Sequence, residues 1–391
     1  MSAAPSRARV AGTVTYVSQG VCFAALVTRI PTIQDRFGLD EGALALLLGL
    51  VPIIAGVGSV VAGPVIARRS AATTLRIVGP LTPLAIVAVG LSTASGSLPL
   101  LIAALVFVGF ALGSVDAAMN AHAARVEAAY GRSIMASFFA AFSLAGIIGA
   151  GLAALAASTS LALWAFFALL AVVLVPAHLI AGPSYLRGRA EPADPTTKAA
   201  GPSVHVPWRP IVIIGIALAC VYIADSAASN WSAVYLTDAL TSSETIAALA
   251  YACYALTTLV ARVFVDRGVM AGGPVMLVRF GGLIAAGAAA LIAVAPNSTW
   301  ALVGFGILGF GAAPIIPLAF TAAAQHDPAG SGVAISRVNV FNYVGFVVGA
   351  PLIGLVADAT SLRWAFAVLI PVLVVVAALA PAFRVRDYAR G

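Results

Sequence analysis

The sequence predicts an all-α integral membrane protein in which twelve transmembrane helices form two pseudo-symmetric six-helix bundles. Three observations carry that prediction: a composition too apolar for water, apolar runs of spanning length that divide six and six, and a repeat between the halves. Of 391 residues, 62% are hydrophobic and 9% charged, with a mean hydropathy of +1.06. A soluble domain carries about 25% charged residues. A hydrocarbon core of about 30 Å takes about 20 apolar residues per helix, so spans and short connections use up the chain and leave no length for a soluble catalytic domain.

The runs fall at residues 10–30, 42–67, 73–94, 98–124, 133–156 and 160–182, then at 210–236, 245–265, 274–295, 299–324, 332–356 and 362–383. The first follows Arg7 and Arg9 in the manner of a signal peptide, but it continues to Ile30 with no small-residue cleavage site, so an uncleaved first span is expected. Polar, turn-like breaks separate the runs at Pro31 to Glu41, Arg68 to Ala72, Ser95 to Ser97, Val126 to Arg132, Ala295 to Ser298 and Gln325 to Gly330. One long hydrophilic stretch carries Arg187, Arg189, Glu191, Asp194 and Lys198 among prolines and threonines. The expected organisation is a first bundle over 1–182, a cytoplasmic linker over 183–208 and a second bundle over 209–391.

The net charge of +7 is spread as single arginines between apolar runs. It forms no basic face with interleaved aromatics, so no nucleic-acid partner is expected. With the amino terminus inside, only Arg29, Arg36 and Arg363 fall on the outer side. The positive-inside bias therefore places both termini in the cytoplasm of a bacterium, with the chain in its plasma (inner) membrane. Cys22, Cys220 and Cys253 lie inside spans without metal-type spacing, and His122, His178, His205 and His326 are scattered. No His-Glu-x-x-His and no nucleophile elbow occurs. Neither enzyme activity nor a cofactor or metal is expected, and the expected partners are a small solute, protons and the bilayer around a monomer.

The halves align at a nearly fixed offset. Gly109-Phe110 matches Gly309-Phe310, Glu127 matches Asp327, Gly131 matches Gly330, Gly146 matches Gly345, and Tyr16 falls opposite Tyr222. At the end of the second helix of each half, Gly63 to Arg69 lines up with Arg262 to Arg267.

Twelve spans in matched halves, a hydrophilic middle linker and short basic turns after the second and eighth helices resemble the major facilitator superfamily over essentially the whole chain. That family's motif between helices two and three is Gly-x-x-x-Asp-Arg-x-Gly-Arg-Arg. Here Gly63, Arg68 and Arg69 match, Ala67 stands where aspartate belongs, and the second glycine is absent. The second-half copy keeps Asp266 and Arg267 and has Arg262 at the glycine position. The resemblance therefore implies that the charge latch sits mainly in the second half. The stretches Asp116-Ala-Ala-Met119-Asn120, Gly131-Arg132-Ser133 and Asn230 to Leu236, with Glu127, are similar to a bacterial group around the rhizopine-cluster membrane protein, a branch related to the fucose permeases. That similarity implies a secondary transporter working by alternating access, tilts the solute toward sugars or polyols, and suggests proton symport. The alternative is a drug or metabolite efflux carrier of the same superfamily. A proline-bearing antiporter signature is not met in helix five, which has Gly146, Gly149 and Gly151 without it.

An ionisable group at the centre of a span costs about 2.5–3.5 kcal/mol, which makes each one a functional candidate. Asp116, Asp225 and Arg337 qualify. A carboxylate in low dielectric takes up a proton readily and so sheds the charge that opposes conformational change. Asp116 and Asp225 are accordingly the candidate proton carriers, with a structural hydrogen-bonding role as the other reading of Asp116. Asn120 shares a helix face with Asp116, and Gln19 stands on helix one where the fucose permeases carry an acid. Helix seven concentrates Ser226, Ser229, Asn230, Trp231 and Tyr235 around Asp225, groups that must face protein or a wet cavity and that suit a sugar-like ligand. An interfacial aromatic belt is the other reading for Trp231 and the favoured one for Tyr235.

Helix eleven adds Arg337, Asn339, Asn342 and Tyr343. Arg337 has three open roles: binding an anionic solute, neutralising an aspartate, or snorkelling to the surface. The expected substrate-binding set is Gln19, Asn120, Ser229, Asn230, Trp231, Arg337, Asn339, Asn342 and Tyr343. The expected gating set is Arg68, Arg69, Glu127, Arg132, Asp266, Arg267 and Asp327, with Glu127 paired to Arg132 and Asp327 to Arg267 as surface salt bridges. Ordinary packing is favoured for Phe138, Phe139, Phe142, Tyr251 and Tyr254, and Pro314 and Pro317 are expected to bend helix ten.

Overall fold

The computed structural model describes residues 3–39, 41–186, 206–327 and 330–385. Most of the linker, with Arg187, Arg189, Glu191, Asp194, Lys198 and His205, lies outside the described residues. Among the described residues, twelve helices are long and apolar enough to cross a membrane. They are Pro5–Thr28, Gly49–Arg69, Ala71–Ser95, Leu98–Tyr130, Met135–Ser158, Leu163–Ser184, Trp208–Ala239, Leu249–Gly272, Pro274–Ala293, Ser298–Gln325, Val333–Ala359 and Leu362–Phe383, called helix 1 to helix 12 below. Hydropathy located every one of them.

The departures from the expected boundaries have local causes. Helix 3 is broken into Ala71–Val78 and Leu81–Ser95 at Gly79-Pro80, where the proline supplies no amide hydrogen for the ladder. Helix 10 breaks likewise, into Ser298–Ala312 and Ile315–Gln325, at Pro314. The turn expected from Pro31 to Glu41 contains a short helix, Ile30–Phe37, closed by Gly38 at a left-handed φ of 59°. Its Arg36 Nε donates to the Thr93 carbonyl at the end of helix 3, 3.2 Å away. Helix 4 runs on to Tyr130, so Glu127, expected in a turn, is helical and buried. Arg132 is exposed in the turn beyond Gly131, so of the two only Glu127 departs from the surface turn expected for both.

The chain forms two compact units, residues 1–130, 141–206 and 327–339 in one, and residues 131–140, 207–326 and 340–391 in the other. The first turns of helices 5 and 11 are thus exchanged: residues 131–140 group with helices 7–10 and residues 327–339 with helices 1–4.

In the first unit, helix 4 lies against helix 2 so closely that a Cβ at Gly109 would sit 2.6 Å from the Val51 carbonyl oxygen. In the second unit, a Cβ at the repeat-matched Gly309 would lie 2.2 Å from the Tyr254 carbonyl oxygen on helix 8. Lipid tails are as apolar as leucine, so such close backbone approach is what holds membrane helices together. The second unit has a core in which Tyr235 and Phe305 pack on Phe366, with ring centroids 5.0 and 5.4 Å from it. Tyr235, favoured from sequence for an interfacial belt, is fully buried here and donates its hydroxyl to the Ile292 carbonyl.

Both described ends of the linker are held in the first unit. At its entry, Arg76 Nε donates to the Gly182 carbonyl (2.8 Å), the Tyr185 and Thr15 hydroxyls bond at 2.9 Å, and the Leu186 amide donates to His122 Nε2 (3.1 Å). At its exit, Arg337 Nη1 donates to the Val206 carbonyl (2.8 Å).

Candidate functional site

In the first unit the polar face of helix 4 meets that of helix 1 in two rungs. Gln19 Nε2 donates to Asp116 Oδ1 at 3.1 Å and to the Leu112 carbonyl at 3.4 Å. One turn away, the Tyr16 hydroxyl donates to Asn120 Oδ1 at 2.5 Å. Tyr16 and Gln19 are three apart and Asp116 and Asn120 four apart, so each pair lies along one helix face. Tyr16, Gln19 and Asn120 are buried, and Asp116 is partly accessible. The structure thus joins Gln19 to the expected proton carrier, and it joins Asn120 to Tyr16, which sequence had noted only as a repeat match.

The other candidates of this unit lie elsewhere. Ser336 Oγ donates to the Ser59 carbonyl (2.6 Å), Ser59 Oγ returns a bond to the Ser336 carbonyl (3.3 Å), and Asn339 Nδ2 donates to Ser59 Oγ (3.2 Å). Asn339 therefore belongs to the joint of helices 2 and 11. Its Oδ1 is buried and has no partner among the described residues. Arg337 reaches the linker exit at Val206. Asp327 accepts from the backbone and hydroxyl of Ser331, both bonds reaching it at 3.1 Å or less. Its carboxylate is thus used in its own turn rather than in a surface ion pair. Arg68 and Arg69 are exposed at the end of helix 2.

In the second unit, the Tyr254 hydroxyl on helix 8 donates to Asp225 Oδ1 at 2.6 Å, and the Tyr251 ring stacks on Tyr254 with centroids 5.9 Å apart. Sequence favoured ordinary packing for Tyr254; its hydroxyl is instead the donor to the embedded acid. Three further polar groups of helix 7 bond to main-chain carbonyls, Asn230 from an exposed position. Ser226 Oγ donates to the Phe346 carbonyl of helix 11 (2.9 Å), Asn230 Nδ2 to the Ser226 carbonyl (2.8 Å), and Ser229 Oγ to the same carbonyl (3.2 Å). Trp231 Nε1 donates to the Ala350 carbonyl on helix 11 (3.0 Å), and its ring packs on Gly354. Short polar side chains in a span meet the backbone this way because lipid offers nothing else. Asn342 is buried and Tyr343 half-buried on helix 11.

The gating candidates of this unit centre on Asp266, at the end of helix 8. Its carboxylate accepts from Ser133 Oγ (2.8 Å) and from the backbone amides of Ser137 (3.1 Å) and Ala136 (3.3 Å). It thereby caps the start of helix 5, where amides have no partner within the helix. Arg262 lies over the Phe139 ring (5.6 Å) and Arg267 over Phe264 (5.9 Å). Among the described residues, no group of three His, Cys, Asp or Glu side chains is placed to hold a metal.

Residues 12–332 and 214–391 match the family model described as Major Facilitator Superfamily. The chain is 32% identical over 370 residues to an uncharacterized MFS-type transporter of Yersinia pestis, which covers 93% of this chain and 92% of that protein. It is 30% identical over 167 residues to the membrane protein MosC of Rhizobium meliloti, which covers 43% of this chain and 41% of that one. Its fold is similar to that of FucP, the E. coli fucose:proton symporter, solved in the outward conformation. The TM-score is 0.79 over 96% of this chain and 98% of that chain at 15% identity, a likeness of fold alone.

Proposed function

The chain belongs to the major facilitator superfamily and is a multi-pass membrane transporter, not an enzyme; from that premise we propose that it is a proton symporter of a small, sugar- or polyol-like solute. It works by alternating access in a bacterial plasma membrane, with both termini cytoplasmic. The observation that carries this reading is a pair of membrane-embedded carboxylates, each met by an uncharged donor from a neighbouring helix: Gln19 on Asp116 and Tyr254 on Asp225. Such a donor holds the carboxylate in place while leaving it able to take up a proton, and neutralisation makes movement through a low-dielectric surround cheaper. Amide and hydroxyl groups beside an acid also match the donors and acceptors of a hydroxylated solute. The fucose:proton symport of FucP, whose fold this chain shares, supports the same solute class.

In this reading Gln19, Asn120 and Tyr16 bind solute hydroxyls in the first unit. Asn342 and Tyr343 do so in the second, where Ser229, Asn230 and Trp231 shape the helix 7 wall. Asp266 is the latch on helix 5, and Ser59 with Ser336 is its counterpart on helix 11.

The test is solute-driven alkalinisation outside proteoliposomes, using fucose, a panel of pentoses and hexoses, and polyols. The double variant Asp116→Asn with Asp225→Asn is expected to lose proton movement completely, and the single variants to show which acid titrates. Coupled flux at the parental rate in the double variant would discard the assignment.

A further inference from the structure

Helix 8 presents two faces. Successive residues turn by about 100°, which places Tyr251, Tyr254 and Thr258 about 140° around the helix from Cys253, Leu256 and Thr257. The first face carries the donor to Asp225. The second, with Leu302, Gly306 and Phe310 of helix 10, lines a groove of about 540 Å³.

The groove is built for an apolar occupant. Its floor is the missing side chain of Gly306, where a Cβ would meet only Thr257 Cγ2, at 3.6 Å. The Thr257 hydroxyl is turned into the protein, donating at 2.7 Å to the Gly306 carbonyl, so the wall shows its methyl group. Leu256 and Phe310 stand 57% and 52% exposed on the rims, facing outward from the unit. From Thr299 to Phe310 the groove follows helix 10 for about 16 Å at 1.5 Å per residue, which is the depth of one leaflet of a core about 30 Å thick. At the mouth near the start of helix 10, the Ser242 and Ser298 hydroxyls bond to each other and Trp300 is exposed. That is the amphipathic setting found at the level of lipid headgroups.

We infer that this groove is a binding site for one phospholipid, which lays an acyl chain between helices 8 and 10 on the back of the helix that holds Tyr254. The bound chain fills space that no side chain of this unit fills, over a helix contact set by Gly309 on Tyr254 and by the Thr257 bond to Gly306. A tail held in a groove shaped for it differs from the exchanging lipid around the rest of the protein by surviving extraction.

The experiment is native mass spectrometry of the full chain, reconstituted in phosphatidylethanolamine–phosphatidylglycerol vesicles and extracted into mild detergent. Parent protein is expected to retain one phospholipid. Gly306→Leu, which fills the floor, is expected to lose most of the lipid-bound population while melting as the parent does. Gly287→Leu is the control: this glycine is exposed on helix 9 with nothing within 4 Å of a Cβ, and the variant should keep the lipid. A parent that emerges bare, or a Gly306→Leu protein that retains lipid as the parent does, overturns the proposal. So does loss of lipid from both variants alike.

Discussion

The starts of helix 5 and helix 11 are repeat-related, and each is gripped by the neighbouring end of a helix in its compact unit. The grips use different chemistry. At helix 5, the carboxylate of Asp266 takes one hydroxyl and two first-turn amides. At helix 11, Ser336 and Ser59 exchange hydroxyl-to-carbonyl bonds and Asn339 adds an amide. The sequence differences behind this include two positions of the repeated motif, Ala67 against Asp266 and Gly63 against Arg262. Hydrogen bonds to a charged group contribute about 1.5–3 kcal/mol and neutral ones about 0.5–1.5, and an anion at a helix start adds about 0.3–1. The comparison teaches that a duplicated latch can lose its charge in one copy when small hydroxyl side chains close the same gap. It also teaches that the two joints should then differ in strength.

The largest effect is expected from Asp266→Ala, which leaves two amides and a hydroxyl without their acceptor. Unfolding of the purified protein should fall by about 2–3 kcal/mol, and Asp266→Asn, which keeps an acceptor oxygen without the charge, should recover part of it. Parental stability in the alanine variant would remove the asymmetry. A smaller loss, about 1 kcal/mol, is expected for Ser336→Ala. Gly63→Ala attacks the same joint from the other side, since its Cβ would stand 2.7 Å from Ser336 Oγ. The double variant should therefore cost less than the sum of the two, and strict additivity in that cycle would show that the two residues do not share a contact. The smallest change, a gain of about 0.3–1 kcal/mol, is expected for Ala67→Asp. That substitution restores an anion next to Ile66, against which Gly332 at the start of helix 11 is packed. Loss of stability there would mean that the first half has no room for the charge its repeat uses.

Hydropathy and the repeat made the twelve spans legible, because lipid imposes both apolar length and internal hydrogen bonding. The bend at Pro314 was readable from the proline, and the same signal at Pro80 was present but read as part of an unbroken run. The candidate site was legible in its acids and in Gln19. It was not legible in their partners. Tyr254 on Asp225 and Tyr16 on Asn120 depend on how far each helix is rotated about its axis, and that rotation is set by backbone contacts such as Gly309 on Tyr254. Such contacts leave only a glycine in the sequence. The partner of Arg337 was not legible for a related reason. That partner is a main-chain carbonyl at Val206, and a carbonyl has no residue type to recognise.

The anchoring of the linker has a consequence for how this chain tolerates change. Leu186 and Val206 are fastened within the same compact unit, by His122 and Arg337. The two feet of the interval between them therefore stand on common ground. A change of length within it is expected to leave both feet in place. Evolution and the experimenter alike can spend that interval on recognition sequences or tags while the transmembrane machinery goes on unaware of it.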